Sequence, residues 1–189
     1  MRMPTIWILA AALTLAMTAS APAGAQAPAP RATPSPLPAP DIAIAPAAND
    51  AVEVVNRFFA AMTAGDLQAA GELLDPRVTV LANGVLAENR AAYLAGIGKN
   101  DAAFLKRAPR ALLKRVANTD GTIAWVVSQK LFNMAQPGGA AMELLNAETV
   151  ILARGAQGWK IIHAHWSSRP APSRQATTRP GVAAPAVKR

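Results

Sequence analysis

The chain reads as an α+β domain, on three observations. Apolar residues recur at helical spacing from Ala51 to about Ala108. After Pro109 the pattern becomes long runs rich in Val, Ile, Trp and Phe, cut by Gly- and Pro-containing turns. Those runs follow one another directly, so an antiparallel meander is the economical arrangement. Helices followed by a run of strands predict N-terminal helices packed on one curved, mainly antiparallel sheet that encloses an apolar cone.

The elements follow in order. Asp50 is placed to cap a first helix from Ala51 to about Ala64, with Val52, Val55, Phe58, Phe59 and Met62 as its apolar stripe. Gly65 is a natural stop. Asp66 caps a short second helix, Leu67 to Leu74, which Asp75-Pro76 ends. Val78 to Leu81 reads as a strand, Asn83-Gly84 as a tight turn, and Val85 to Ala87 as the return strand. A third helix is expected around Arg90 to Ile97, weakened at its end by Gly96 and Gly98, with a further turn at Asp101 to Ala108. Strands are then expected at 110–118, 122–134, 142–152 and 158–168, with breaks at Asp120-Gly121, Pro137-Gly138-Gly139 and Gly155 to Gly158.

The ends are of another kind. Arg2, an apolar run from Ile6 to Met17, and Ala23-Gly24-Ala25 have the layout of a secretory signal peptide over 1–25. The apolar run is too short for the roughly 20 residues of a spanning helix, so no transmembrane span is expected after cleavage. Residues 26–49 are dominated by Ala and Pro and read as a disordered linker, and 169–189 as a basic disordered tail. The chain is thus expected in the bacterial periplasm or secreted. With no cysteine, it must hold itself together by its core alone.

The net charge of +8 belongs mostly to the ends. Residues 50–168 hold 12 Lys/Arg against 10 Asp/Glu, whereas 169–189 hold five basic residues and no acid. A nucleic-acid module would carry a basic stripe interleaved with aromatics on its folded face, which this domain lacks, so no nucleic-acid partner is expected. Lys106-Arg107, Arg110 and Lys114-Arg115 form a basic cluster, read as a solvated face that could also steer an anion.

Both histidines lie in the last strand, Gly158-Trp159-Lys160-Ile161-Ile162-His163-Ala164-His165-Trp166-Ser167-Ser168. Strict alternation puts His163 and His165 on one face and Ile162, Ala164 and Trp166 on the other. Imidazole titrates near neutral pH, so His163 and His165 are candidate acid/base groups, or structural groups at a subunit interface. Zinc would need a third ligand such as Glu148, and no metal or cofactor is expected. Glu148 sits mid-strand in an apolar run, with Asn146 and Val150 on its face. If buried it needs a partner, for which His163 or His165 on the neighbouring strand is the candidate. Trp125, Tyr93, Phe58 and Trp166 are candidate pocket walls, with Phe132 beside them. Tyr93 is the one phenol.

Ala147-Glu148-Thr149-Val150 followed by the histidine strand resembles the nuclear-transport-factor-2-like (NTF2-like) superfamily, in particular its SnoaL-like members, over about residues 50–168. The same residues are similar to the association domain of calcium/calmodulin-dependent kinase II, with its Glu-Thr pair, Trp and His-x-His run. The resemblance implies a cone-shaped α+β fold that serves isomerases, hydrolases, binding proteins or oligomerisation modules. In the kinase domain an Arg after the second His lines an anion pocket; here that position is Trp166. In the steroid isomerases a Tyr and an Asp face one cavity. Asp101 and Asp120 are expected in loops, so that pair is not visible, and neither is the Asp-Arg-Asp set of the epoxide hydrolases. The reading is a small-ligand-binding or assembly module, homodimeric through the sheet. The alternative is a cofactor-independent acid/base enzyme acting on an apolar small molecule.

Overall fold

Helix α1 (Asn49–Ala64) is the first large element of the computed structural model, which describes residues 38–135 and 141–172. The expected signal segment, the first half of the linker, the Pro137-Gly138-Gly139 break and the tail from residue 173 lie outside the described residues. No helix among the described residues is long and apolar enough to cross a membrane.

Among the described residues, seven strands form one mixed, curved, unclosed sheet in the order β1-β4-β5-β6-β7-β2-β3. The centre is the expected meander: β4 (Arg110–Thr119), β5 (Ile123–Ala135), β6 (Ala141–Gly155) and β7 (Gly158–Pro170) pair antiparallel in succession. β2 (Leu74–Ala82) joins β7 in parallel and carries the hairpin partner β3 (Val85–Ala87). Asn83 and Gly84, with φ of 48° and 87°, make the two left-handed turn residues this tight hairpin requires.

Four local expectations are corrected. β1 (Asp41–Ile44) lies inside the expected linker and pairs parallel with β4, and a 3-10 turn at Pro46–Ala48 leads into α1. The stretch Asp41-Ile42-Ala43-Ile44 is free of proline and can therefore join a sheet edge. Helix α1 begins after Ala48, with Asp50 in its first turn rather than at its cap. Helix α2 (Leu67–Glu72), capped by Asp66 through a 2.9 Å bond from the Ala69 amide, stops early, so Asp75-Pro76 falls within β2. There the register with β7 shifts between Leu74 and Thr79, an irregularity that accommodates the proline. Finally, α3 (Arg90–Ala95) is followed at once by α4 (Ile97–Arg107), an eleven-residue helix where one extra turn was expected; Asp101 is helical, not in a loop.

The core lies between the helices and the concave face of the sheet. Val55, Phe58 and Met62 of α1 meet Val78 and Val80 of β2, Val126 of β5, Val150 of β6 and Ala164 of β7. The alternation of β7 is broken once: Ile151 pairs with His163 and Leu152 with Ile161, leaving Ile162 as an extra residue. Trp159 and Ile161 before the bulge, and Ala164 and Trp166 after it, all reach the core. His163 and His165 are left on the convex face.

Candidate functional site

The cone cavity has a helical wall and a sheet wall. Tyr93 comes from α3, whose first turn is fixed by Asn89: its side-chain oxygen accepts the Ala92 amide at 2.9 Å. Gly98 sits against Tyr93. A β-carbon at Gly98 would lie 2.7 Å from the Tyr93 carbonyl oxygen and 3.2 Å from its ring, so only glycine permits this approach. One turn into α4, Asp101 accepts the Tyr93 hydroxyl at 3.2 Å. The Trp166 side chain also donates to Asp101. Burial pushes the Asp101 carboxyl up to about 6, against the opposing pull of these two donors. Burial also drives the Tyr93 phenol far above its ordinary value, with the Asp101 charge adding to the rise, so Tyr93 stays a donor.

The aromatic rings are in mutual contact. Tyr93 and Trp166 are edge-to-face at 6.3 Å, Phe59 and Trp166 at 6.2 Å, and Phe58 lies 6.5 Å from Tyr93. The cavity they line is about 260 Å³, extended by Phe104 and Phe132. Asn83 closes one edge: its side-chain oxygen accepts the Ser168 amide at 3.0 Å, pinning the end of β7.

The sheet wall carries the second carboxylate. Glu148 is 3% exposed and stands directly across from Trp166. Its partner is Lys130, with Nζ 2.6 Å from Oε2, and this ammonium also sits 3.7 Å above the Phe59 ring. Glu148 Oε1 has no hydrogen-bond partner among the described residues. Burial holds the Lys130 ammonium below its ordinary value, offset in part by Glu148.

Two expectations are overturned here. Glu148 does not pair with His163 or His165, because they point to the other side of the sheet: His163 Nδ1 lies 2.8 Å from Thr79 Oγ1, and His165 is exposed. Trp125 is 40% exposed on the convex face and does not line the cavity, whereas Phe58, Tyr93 and Trp166 do. Two residues were missed. Asp101 falls with Ile97 and Leu105 at four-residue spacing, a helical stripe in which one acid interrupts apolar positions. Lys130 shares its strand face with Ala124, Val126 and Ser128, so alternation alone points it inward. Among the described residues no three acidic or histidine side chains converge in a way that could hold a metal ion.

Helices laid on a curved, unclosed sheet with an apolar cone between them define an NTF2-like protein. The sequence profile of the SnoaL-like domain matches residues 52–172, and the chain belongs to that family. Among solved structures it is similar to a candidate ketosteroid isomerase from Shewanella frigidimarina NCIMB 400, 25% identical over 66% of this chain and 99% of that one, with a TM-score of 0.59. It is also similar to a calcium/calmodulin-dependent kinase II hub from S. rosetta (24% identity, 64% and 95% coverage, TM-score 0.55). An NTF2-like protein with a cystatin-like fold from Novosphingobium aromaticivorans matches at 20% identity, 62% and 78% coverage, and TM-score 0.52. The last two likenesses are of fold alone. No curated protein sequence matches the chain.

Proposed function

We propose that this is an exported SnoaL-like protein that binds a small, largely apolar molecule in its cone and assembles as a homodimer through the sheet. The observation that carries the binding reading is the cavity itself: an aromatic enclosure with a few convergent polar groups, Tyr93, Asp101 and Glu148. Its volume of about 260 Å³ lies near the lower end of ligand sites, which favours a compact ligand. The test is binding of the uncharged fluorophore N-phenyl-1-naphthylamine. Micromolar binding by the full chain, lost when Leu144→Trp fills the cavity, is expected; equal binding by both proteins would sink the reading.

The dimer reading rests on the convex face, where Val116, Trp125 and Val127 leave apolar surface in the open beside His165. Sedimentation of Trp125→Asp and His165→Asp is expected to move the protein to monomer. Unchanged mass in both variants would remove the sheet as the interface.

A second reading, an acid/base enzyme of isomerase type, is favoured by the Tyr93–Asp101 pair and by the likeness to the candidate ketosteroid isomerase. With its carboxyl held near 6, Asp101 is protonated in a usable fraction close to neutral pH. Protonated Asp101 and Tyr93 would then donate to a carbonyl oxygen as it gains negative charge, while Glu148 is the cavity carboxylate available to take a proton from carbon. Conversion of a small β,γ-unsaturated ketone to its conjugated isomer, abolished in Asp101→Asn with Tyr93→Phe, would establish it. No turnover by the wild-type protein leaves binding as the function.

A further inference from the structure

A second cleft, of about 320 Å³, opens between α1 and β4, and Phe59 lines both it and the cone cavity. Its walls bring together three cations: Arg110 and Arg115 of β4 and Lys130 of β5. Two of them are almost wholly buried, Arg115 at 8% exposure and Lys130 at 5%.

The hydrogen bonds of the arginines go to neutral groups. Arg115 donates from Nη1 to Asn56 Oδ1 at 2.7 Å and from Nε to Ser128 Oγ at 3.1 Å. Arg110 donates from Nη2 to Thr63 Oγ1 at 2.8 Å. Neither arginine makes an ion pair among the described residues, and Arg110 Nε and Nη1 and Arg115 Nη2 keep no protein acceptor there. The nearby Asp41 is taken by Lys114 at 2.8 Å. Glu148 is the carboxylate that acts on all three cations, and it is in contact with Lys130. Neutral acceptors satisfy N–H groups but do not balance charge, and burying charge without balance is costly.

We propose that the cleft between α1 and β4 binds a small oxyanion, a carboxylate or phosphate group, held by the free edges of Arg110 and Arg115 with Lys130 behind them. Guanidinium groups match the geometry of both oxyanions, and the partly desolvated walls strengthen the attraction. The site is separate from the last-strand position at which the resemblance to the kinase domain would have placed an anion, since Trp166 occupies that position in the cone. Phosphate and carboxylate ligands share this chemistry, and the test separates them.

The experiment is thermal unfolding of the full chain in sodium phosphate, sodium acetate and sodium chloride at matched ionic strength. A saturable rise of several degrees with phosphate or acetate, absent with chloride, is expected; whichever anion acts names the group recognised. Arg110→Gln should weaken the response at least tenfold, while Arg107→Gln, at the end of α4 and outside the cleft, should respond as the wild type does. Equal shifts in all three salts, or equal losses in both variants, would overturn the site. Isothermal titration of the wild-type protein with phosphate and with acetate reads the cleft without a variant. One saturable site per chain for either anion is expected, and no saturable heat for both overturns it.

Discussion

Tyr93 donates to Asp101 across 3.2 Å, joining α3 to α4 at the wall of the cone. The bond exists because Gly96 and Gly98 let two helices follow each other with almost no linker. It places a carboxyl with a raised pKa among aromatic rings, and its effect on stability has a definite sign.

The folded Asp101 carboxyl holds its proton more tightly than the unfolded one, about 6 against 3.8. Its contribution therefore favours folding most below pH 3.8 and is lost as the pH rises through about 6. With the carboxyl partly open to solvent, the effect is about 1 kcal/mol. Asp101→Asn lacks this titration, so its stability relative to wild type should improve by about that much between pH 4 and pH 8. Urea unfolding at both values measures it; a difference that does not change with pH would contradict the assignment.

Lys130→Met leaves Glu148 buried with its direct partner gone. The expected loss is about 3 kcal/mol, in the range for breaking one side of a buried pair. Adding Glu148→Leu should recover most of it, because the orphaned charge goes too. Denaturation midpoints of the single and double variants decide the matter; a double variant as weak as the single would show that the pair is not isolated.

Gly98→Ala should lower stability by about 1–3 kcal/mol, since the new methyl group meets backbone at 2.7 Å. The displaced Tyr93 should also weaken naphthylamine binding. A variant with wild-type stability and binding would mean that α3 can move aside freely.

A chain starting at residue 46 should be less stable than one starting at residue 38, by about 1–3 kcal/mol. The shorter chain lacks β1, its pairing with β4, the Lys114–Asp41 ion pair and the Ile44 contact with the core. Calorimetric midpoints that coincide would show β1 to be dispensable.

The meander, the Asn83-Gly84 hairpin and the Asp66 cap were legible because each is written in local chemistry: alternation, turn residues, a capping oxygen. Strand β1 was not, because four residues between prolines carry too little pattern, and their pairing partner lies some seventy positions away. At the site, the sequence left the burial of Glu148 conditional and paired it with the histidines, because alternation sorts residues into two faces without saying which face is covered. Either neighbouring strand could supply a partner, and β5 did so with Lys130 rather than β7 with a histidine. Asp101 was hidden by two glycines that read as the end of a helix and instead permit a close junction.

The extra residue at Ile162 has a consequence for how such a cone could change its contents. Strict pairing through β7 would keep Trp159 and Ile161 on the same side as His163 and His165, and imidazoles would then face the cavity in place of the indole. Loss of the bulge with Ile162 retained, a one-residue slip of register, is therefore a switch between two interiors, one lined by an indole and one by imidazoles, on an otherwise unchanged scaffold. Diversification within a cone of this kind need not proceed by exchanging side chains one at a time. A single slip in the last strand can re-line half the wall in one event.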